Sequence, residues 1–424
     1  MNDREQSDLG WSEVSSADAD LAADPSPHGN DVRKENRRPK VNEHRILRLI
    51  HDCGPTARAD IVRQLGLSAP TVSKVVASLL DAGFLEEVEM PEMQVGRPPK
   101  KLRLACEKTQ VLGVVIAPGT CWVVSSGLDG ELEESRMHKI RTPDTYEGLI
   151  AALADQAREL MNREGVETLG AGICVPGLVD VSRNLSVLAA SVPMIEGRSP
   201  TGDLAERLGI ECVTLPAKHA LCLAQSHFGE NRREEDFVLL DFSTGAALGV
   251  VNRGRLLKGK NGFAGEVGHI TIDPNGARCF CGNRGCLVTV VSDVAVAARV
   301  SERLGRYLDI EEVVKLARAG EIDLAGEIRE IVYYLSIGLA NVINLFNPPT
   351  IFLHARIFDL SDDLFPSLLA EVRRRSLRPT FAECRFVRAN VNKQQGAVAA
   401  ILDHLIESWA PRSDTHRRYP ALTH

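Results

Sequence analysis

The sequence predicts an α/β protein headed by a winged helix-turn-helix. Three observations carry that prediction. Three short amphipathic segments joined by tight turns occupy residues 42–104 and end in a basic loop between two strand-like runs. Two similar strand-Gly-Thr-strand hairpins recur near 111–125 and 237–252. Strand and helix patterns alternate through the rest of the chain, as in an α/β body built from two related lobes.

The N-terminal elements follow from apolar spacing. Ile46, Leu47, Leu49 and Ile50 give one helix, and Ile61, Val62 and Leu65 a second. Val72, Val75, Val76, Leu79 and Leu80 give a third at i, i+3, i+4, i+7, i+8 spacing. Gly66 closes the second helix and Ser68 caps the third, so the two are joined by a helix-turn-helix turn. The opposite face of the third helix carries Pro70, Thr71, Ser73, Lys74, Ala77 and Ser78, small or hydrogen-bonding groups suited to a major groove. Phe84, Leu85 and Val88, then Leu102 and Leu104, predict two strands around a wing tipped by Gly96-Arg97-Pro98-Pro99-Lys100-Lys101. Arg97 suits the narrow minor groove and Lys100 a phosphate. A small helical dimerisation module with an incidental basic loop is the plainer alternative.

Along the body, Val111 to Ile116 pairs with Cys121 to Ser125, a helix runs from Tyr146 to Arg163, and Leu169 to Val175 is a buried strand. Phe237 to Asp241 pairs with Ala247 to Asn252. Glu327 to Leu345 is a long helix, Thr350 to Leu353 a strand, and Gln394 to Glu407 a closing helix.

Charge distribution supports a double-stranded DNA partner. The 424 residues carry a net −7, yet residues 31–104 hold 14 Lys/Arg against 10 Asp/Glu, a net of +4, which leaves −11 elsewhere. A basic head on an acidic body anchors on phosphates while the body avoids nonspecific contact. Residues 1–40 read as a disordered tail ending in a basic arm, Arg33 to Lys40, either a solvated linker or a further phosphate contact. Residues 411–424 read as a flexible tail. No signal peptide or transmembrane run is visible, and scattered cysteines fit a reducing compartment, so a cytoplasmic protein without membrane association is expected.

One cysteine cluster stands apart. Cys279, Cys281 and Cys286 lie within eight residues, with His269 ten residues upstream of the first. Three thiolates and an imidazole match a closed tetrahedral site for structural Zn2+. A redox pair is the competing reading.

Gly265-Glu266-Val267-Gly268-His269, followed by Cys279-x-Cys281-Gly-x-x-Gly-Cys286-Leu287, resembles the signature of the ROK family of repressors, open reading frames and sugar kinases. The resemblance extends over roughly residues 42–405 and includes Gly96-Arg97-Pro98, Val175-Pro176-Gly177-Leu178-Val179-Asp180 and Asn344-Leu345-Phe346-Asn347-Pro348. It implies a winged helix-turn-helix (41–104) followed by a two-lobed actin/hexokinase-like ATPase fold (105–410). Lobe 1 would span about 105–230 plus the helix 394–407, and lobe 2 about 235–390. It also implies a homodimer or tetramer, and a transcriptional regulator, most simply a repressor.

The kinase chemistry implied by the resemblance is not matched. Phosphoryl transfer needs a general base, carboxylate help with magnesium and a phosphate cradle. The family's Asp-x-Gly-Gly-Thr becomes Ala117-Pro118-Gly119-Thr120, and the sugar-contacting Asn-Asp becomes Pro216-Ala217. The second hairpin reads Ser243-Thr244-Gly245-Ala246-Ala247, and a Gly-Gly becomes His354-Ala355. A missing base alone costs about 10²–10⁴-fold in rate. Of the sugar anchors, Glu266 and His269 remain as candidate ligand-binding residues, with pairing to a basic neighbour the equal alternative for Glu266, while Val288 replaces a Glu. At roughly 0.5–1.5 kcal/mol per hydrogen bond, the losses disfavour a common hexose. A carbohydrate-derived or other small-molecule effector stays open, as do a ROK-type carbohydrate kinase with an appended DNA module and a protein-interaction scaffold.

Overall fold

The computed structural model describes residues 41–89, 100–230 and 234–408. The basic arm, the wing tip with Arg97, and residues 411–424 lie outside them. The head consists of α1 (Val41–Cys53), β1 (Thr56–Ala57), α2 (Arg58–Leu65), α3 (Ala69–Asp81), β2 (Leu85–Glu89) and β3 (Lys100–Leu104). β1, β3 and β2 form one antiparallel sheet in that order. Gly66 ends α2 in the left-handed conformation at φ 65°, and Ser68 caps α3 by accepting the Thr71 amide at 3.3 Å. The apolar stripes of all three helices are buried together: Ile46, Leu47, Ile61, Val76 and Leu79 have no exposed surface.

Lobe 1 holds β4 (Thr109–Val115), β5 (Thr120–Ser126), β6 (Leu132–Arg141), α4 (Tyr146–Met161) and β7 (Glu167–Val175). A short hairpin, β8 (Leu178–Asp180) and β9 (Leu185–Leu188), follows. Then come α5 (Pro200–Leu208), β10 (Glu211–Pro216) and α6 (Ala217–Phe228). Lobe 2 contains β11 (Phe237–Asp241), β12 (Ala247–Asn252) and β13 (Arg255–Leu256). Next are α7 (Val288–Val291), α8 (Asp293–Leu304), α9 (Ile310–Arg318), α10 (Ala325–Phe346) and β14 (Thr350–His354). The chain closes with α11 (Leu364–Arg375), α12 (Arg378–Ala382), β15 (Arg385–Arg388) and α13 (Lys393–Ser408).

The two lobes share one topology. Sheet order is β10-β7-β4-β5-β6 in the first and β15-β14-β11-β12-β13 in the second. In each, three antiparallel strands continue into two parallel ones. The duplication expected from the two hairpins is therefore complete, with α6 and α13 as equivalent helices. These two pack on each other: α6 also lies on β11 and β12 of lobe 2, and α13, which follows β15 of lobe 2, lies on β4 and β7 of lobe 1. Contact at α13 is backbone to backbone. A Cβ on Gly172 of β7 would fall 1.9 Å from the Ala397 carbonyl oxygen.

The sequence treats head and body as separate modules, yet their cores are continuous. Val111 and Val124 of lobe 1, and Val398, Ile401 and Leu402 of α13, belong to the same apolar cluster as the head's Ile46, Val76 and Leu102. Among the described residues no helix is long and apolar enough to cross a membrane.

Candidate nucleic-acid interface, metal centre and interlobe cleft

The face of α3 opposite its buried stripe is presented to solvent. Pro70, Ser73, Lys74 and Ala77 are exposed, while Thr71 and Ser78 are half-buried. Thr71 does double duty, since its hydroxyl shares a 2.7 Å hydrogen bond with Ser68 Oγ at the cap. Lys100 is exposed at the start of β3, where its Nζ donates to Glu87 Oε2 at 2.7 Å. Arg58 donates to the other oxygen of Glu87 at 2.8 Å. Hydrogen bonds from Lys100 and then Arg58 hold the Glu87 carboxyl below its usual range. Arg58 is a cation at the base of the wing that apolar spacing gave no reason to single out. Arg97 lies outside the described residues.

His269, Cys279, Cys281 and Cys286 converge as their spacing predicts. Their ligand atoms all lie within 4.8 Å of one another, Cys279 and Cys286 buried and Cys281 exposed. His269 Nδ1 is 3.6 Å from Cys279 Sγ, and Cys281 Sγ is 3.7 Å from Cys286 Sγ. Donors placed tetrahedrally at about 2.0–2.3 Å from one ion stand roughly 3.5–3.8 Å apart, so the cluster fits a metal ion. Gly285 makes the loop possible: its φ is 65°, and a Cβ there would lie 1.5 Å from the Asp273 carbonyl oxygen.

Between the lobes, Lys218, Asp241 and Lys393, which no motif advertises, join Glu266 of the signature motif. Ala217 begins α6, and beside it Lys218, 5% exposed, pairs with Glu266 at 2.5 Å. Glu266 is thus held by a cation of the same chain. Asp241, at the end of β11, is equally buried. Its oxygens accept from Lys393 Nζ at 3.0 Å, the His354 ring at 2.9 Å and Ser243 Oγ at 2.7 Å. Burial alone would raise the Asp241 pKa, but Lys393 and His354 outweigh it and hold the carboxyl well below its usual range. Burial would likewise lower the Lys393 pKa, and Asp241 reverses that.

Asp241 corrects one expectation. The sequence reading finds no carboxylate for a metal in the cleft, yet the fold delivers this one, already paired to Lys393. The remaining cavity, about 130 Å³, is lined by Ala217, Lys218, Asp241, Glu266, Phe280 and Val288 among others. Pockets for drug-sized ligands run to roughly 300–1,000 Å³.

A helix-turn-helix head whose core runs into a two-lobed, kinase-like body with a self-filled cleft defines a DNA-binding transcriptional regulator built on a sugar-kinase scaffold. The ROK family profile matches residues 121–404, and the MarR family profile matches residues 39–92. The chain belongs to the ROK family. It is 28% identical over 392 residues to the DNA-binding transcriptional dual regulator NagC of Escherichia coli K12, covering 87% of this chain and 96% of that protein. To the xylose repressor of Bacillus subtilis 168 it is 24% identical over 375 residues, with the same coverage. A solved ROK family transcriptional regulator, a homologue of the E. coli MLC protein, superposes with a TM-score of 0.73 at 26% identity, covering 87% of this chain and 96% of that one.

Proposed function

We propose that the protein is a non-catalytic repressor, acting in the cytoplasm as a homodimer or tetramer whose heads, residues 41–104, read two half-sites of a palindromic operator. The observation that carries this reading is the exposed polar face of α3 on a head whose core is continuous with the body. A symmetric assembly of such bodies sets the separation of the recognition helices. In this reading Ser73, Lys74 and Thr71 face the major groove, with Thr71 also keeping the helix capped. Lys100 exchanges Glu87 for a phosphate, and Arg97 enters the minor groove.

His269, Cys279, Cys281 and Cys286 hold Zn2+ as a structural ion, since four protein donors leave no position for substrate. The body senses or spaces rather than phosphorylates. Ala217 stands where a base would be needed, and the ion pairs of Lys218 and Lys393 occupy the cleft. With so small a cavity, Glu266 and His269 fit a small effector, carbohydrate-derived or other, only after the Lys218–Glu266 pair opens.

Gel-shift titration against DNA upstream of the protein's own gene tests the proposal. Sequence-selective, salt-sensitive binding is expected, with specific complexes in the range of about 10⁻⁸–10⁻¹¹ M. No selective shift up to micromolar protein would refute it. Turnover of ATP on a panel of sugars by the same preparation would support the kinase reading instead.

A further inference from the structure

Another cavity, about 750 Å³, shares no lining residue with the 130 Å³ cavity of the cleft. Lobe 1 contributes Asn184, from the turn between β8 and β9, together with strand β10. Lobe 2 contributes Arg255 and Lys258, while α6 and the last turns of α13 complete the wall. Its volume falls within the roughly 300–1,000 Å³ of small-molecule sites.

Its polar anchor is His219, in the first turn of α6 and 2% exposed. Among the described residues the ring makes no hydrogen bond, yet its nitrogens are not sealed off, so they open into the cavity that the residue lines. A buried polar group left without a partner is costly unless a ligand or water meets it. The charge around it is positive. Burial, then Lys218 and Lys258, push the His219 pKa down to about 4, so near neutral pH the imidazole is uncharged and donates one N–H. Lys218 is already held by Glu266, but Lys258 and Arg255 are exposed and form no ion pair among the described residues. Two carboxylates share the lining. Asp403 meets His227 at 3.0 Å, and Glu407 is exposed in the last turn of α13. Two unpaired cations thus stand against one unpaired carboxylate.

We propose that this cavity binds a small organic anion, a phosphate ester or a carboxylate, with Lys258 and Arg255 on its oxyanion and His219 hydrogen-bonded to it. The guanidinium fork and the ammonium suit either head group. Because the cations belong to lobe 2 and Asn184 and β10 to lobe 1, the bound anion ties the lobes together. The same stretch of α13 that lines the cavity packs into the head's core through Leu402 and Leu405, so the site borders the helix that joins body to head. The assignment does not depend on the DNA-binding reading.

Isothermal titration calorimetry of the full chain at neutral pH tests this, with inorganic phosphate and citrate as the two probes. At least one should bind saturably, and the tighter of the two distinguishes phosphate from carboxylate chemistry. Lys258→Ala and Arg255→Ala, both changes at exposed side chains, should each weaken that binding about ten-fold, and His219→Leu to a similar extent. Lys315→Ala, which removes an exposed cation of α9 outside the lining, should leave it unchanged. No saturable binding of either probe up to millimolar concentrations overturns the proposal. So does binding that Lys258→Ala and Arg255→Ala leave intact, or that Lys315→Ala weakens equally, which would mark a diffuse charge effect.

Discussion

Single buried charges decide what the cleft can do, and their partners make them testable. Asp241 is 5% exposed and depends on Lys393. Removing one partner of such a pair costs about 3–5 kcal/mol, because the other is left buried and uncompensated. Lys393→Met should therefore destabilise strongly in urea titration, and Asp241→Asn in the same background should recover part of the loss.

His219 provides the pH dependence. Burial, then Lys218 and Lys258, push its pKa down to about 4 from 6.5. A depressed histidine adds stability that is present above pH 6.5 and lost as pH falls towards 4, up to about 3 kcal/mol in all. His219→Gln should flatten that fall relative to the parent in urea midpoints measured between pH 7 and pH 4.5. Lys74 is the exposed cation of α3. Lys74→Ala should reduce the slope of log affinity against log salt by about 1 in operator titrations, with the melting temperature unchanged. Lys74 is visible in the helical spacing. Neither Asp241 nor Lys393 is, since 152 residues separate two groups that only the lobe-to-lobe packing brings within 3.0 Å.

Helices and strands follow local rules closely. The Gly66 stop and the Ser68 cap mark the end of α2 and the start of α3, and the apolar stripe carries α3 to within a residue of its end, while α2 begins three residues before its first stripe residue, Ile61. The wing strands appear as read, while β1 is two residues long and escapes any periodicity argument. β6 also carries no usable signal. Its sequence LEESRMHKIR is largely exposed or half-buried, because it is an edge strand with little core to face. α13 packs closely on β7. Gly172→Ala would drive a methyl group into the Ala397 carbonyl oxygen and cost about 1–3 kcal/mol as overpacking, read as a lowered urea midpoint. A larger residue at the half-buried Gly245, where nothing lies within 4 Å of an added Cβ, provides the control.

For the molecule as a whole, the metal cluster and the shared core carry the consequences. Cys281→Ala, or a strong chelator acting on the parent, should lower the melting temperature by several degrees and release bound metal, because donors that organise only in the folded state make binding energy folding energy. Full metal content with an unchanged melting temperature in Cys281→Ala would remove that residue from the ligand set. By itself the chain determined the helix-turn-helix, the duplicated hairpins and the Cys-His cluster, since each rests on spacing within a few dozen residues. It also showed where Ala117, Pro216-Ala217 and His354-Ala355 depart from the kinase pattern that the resemblance implies. What occupies their place was decided only by tertiary structure: α6 and α13 cross between lobes, so Lys218 meets Glu266 and Lys393 meets Asp241. The merging of the head's core with that of lobe 1 was decided there too, because apolar periodicity says which face is buried but not against which partner.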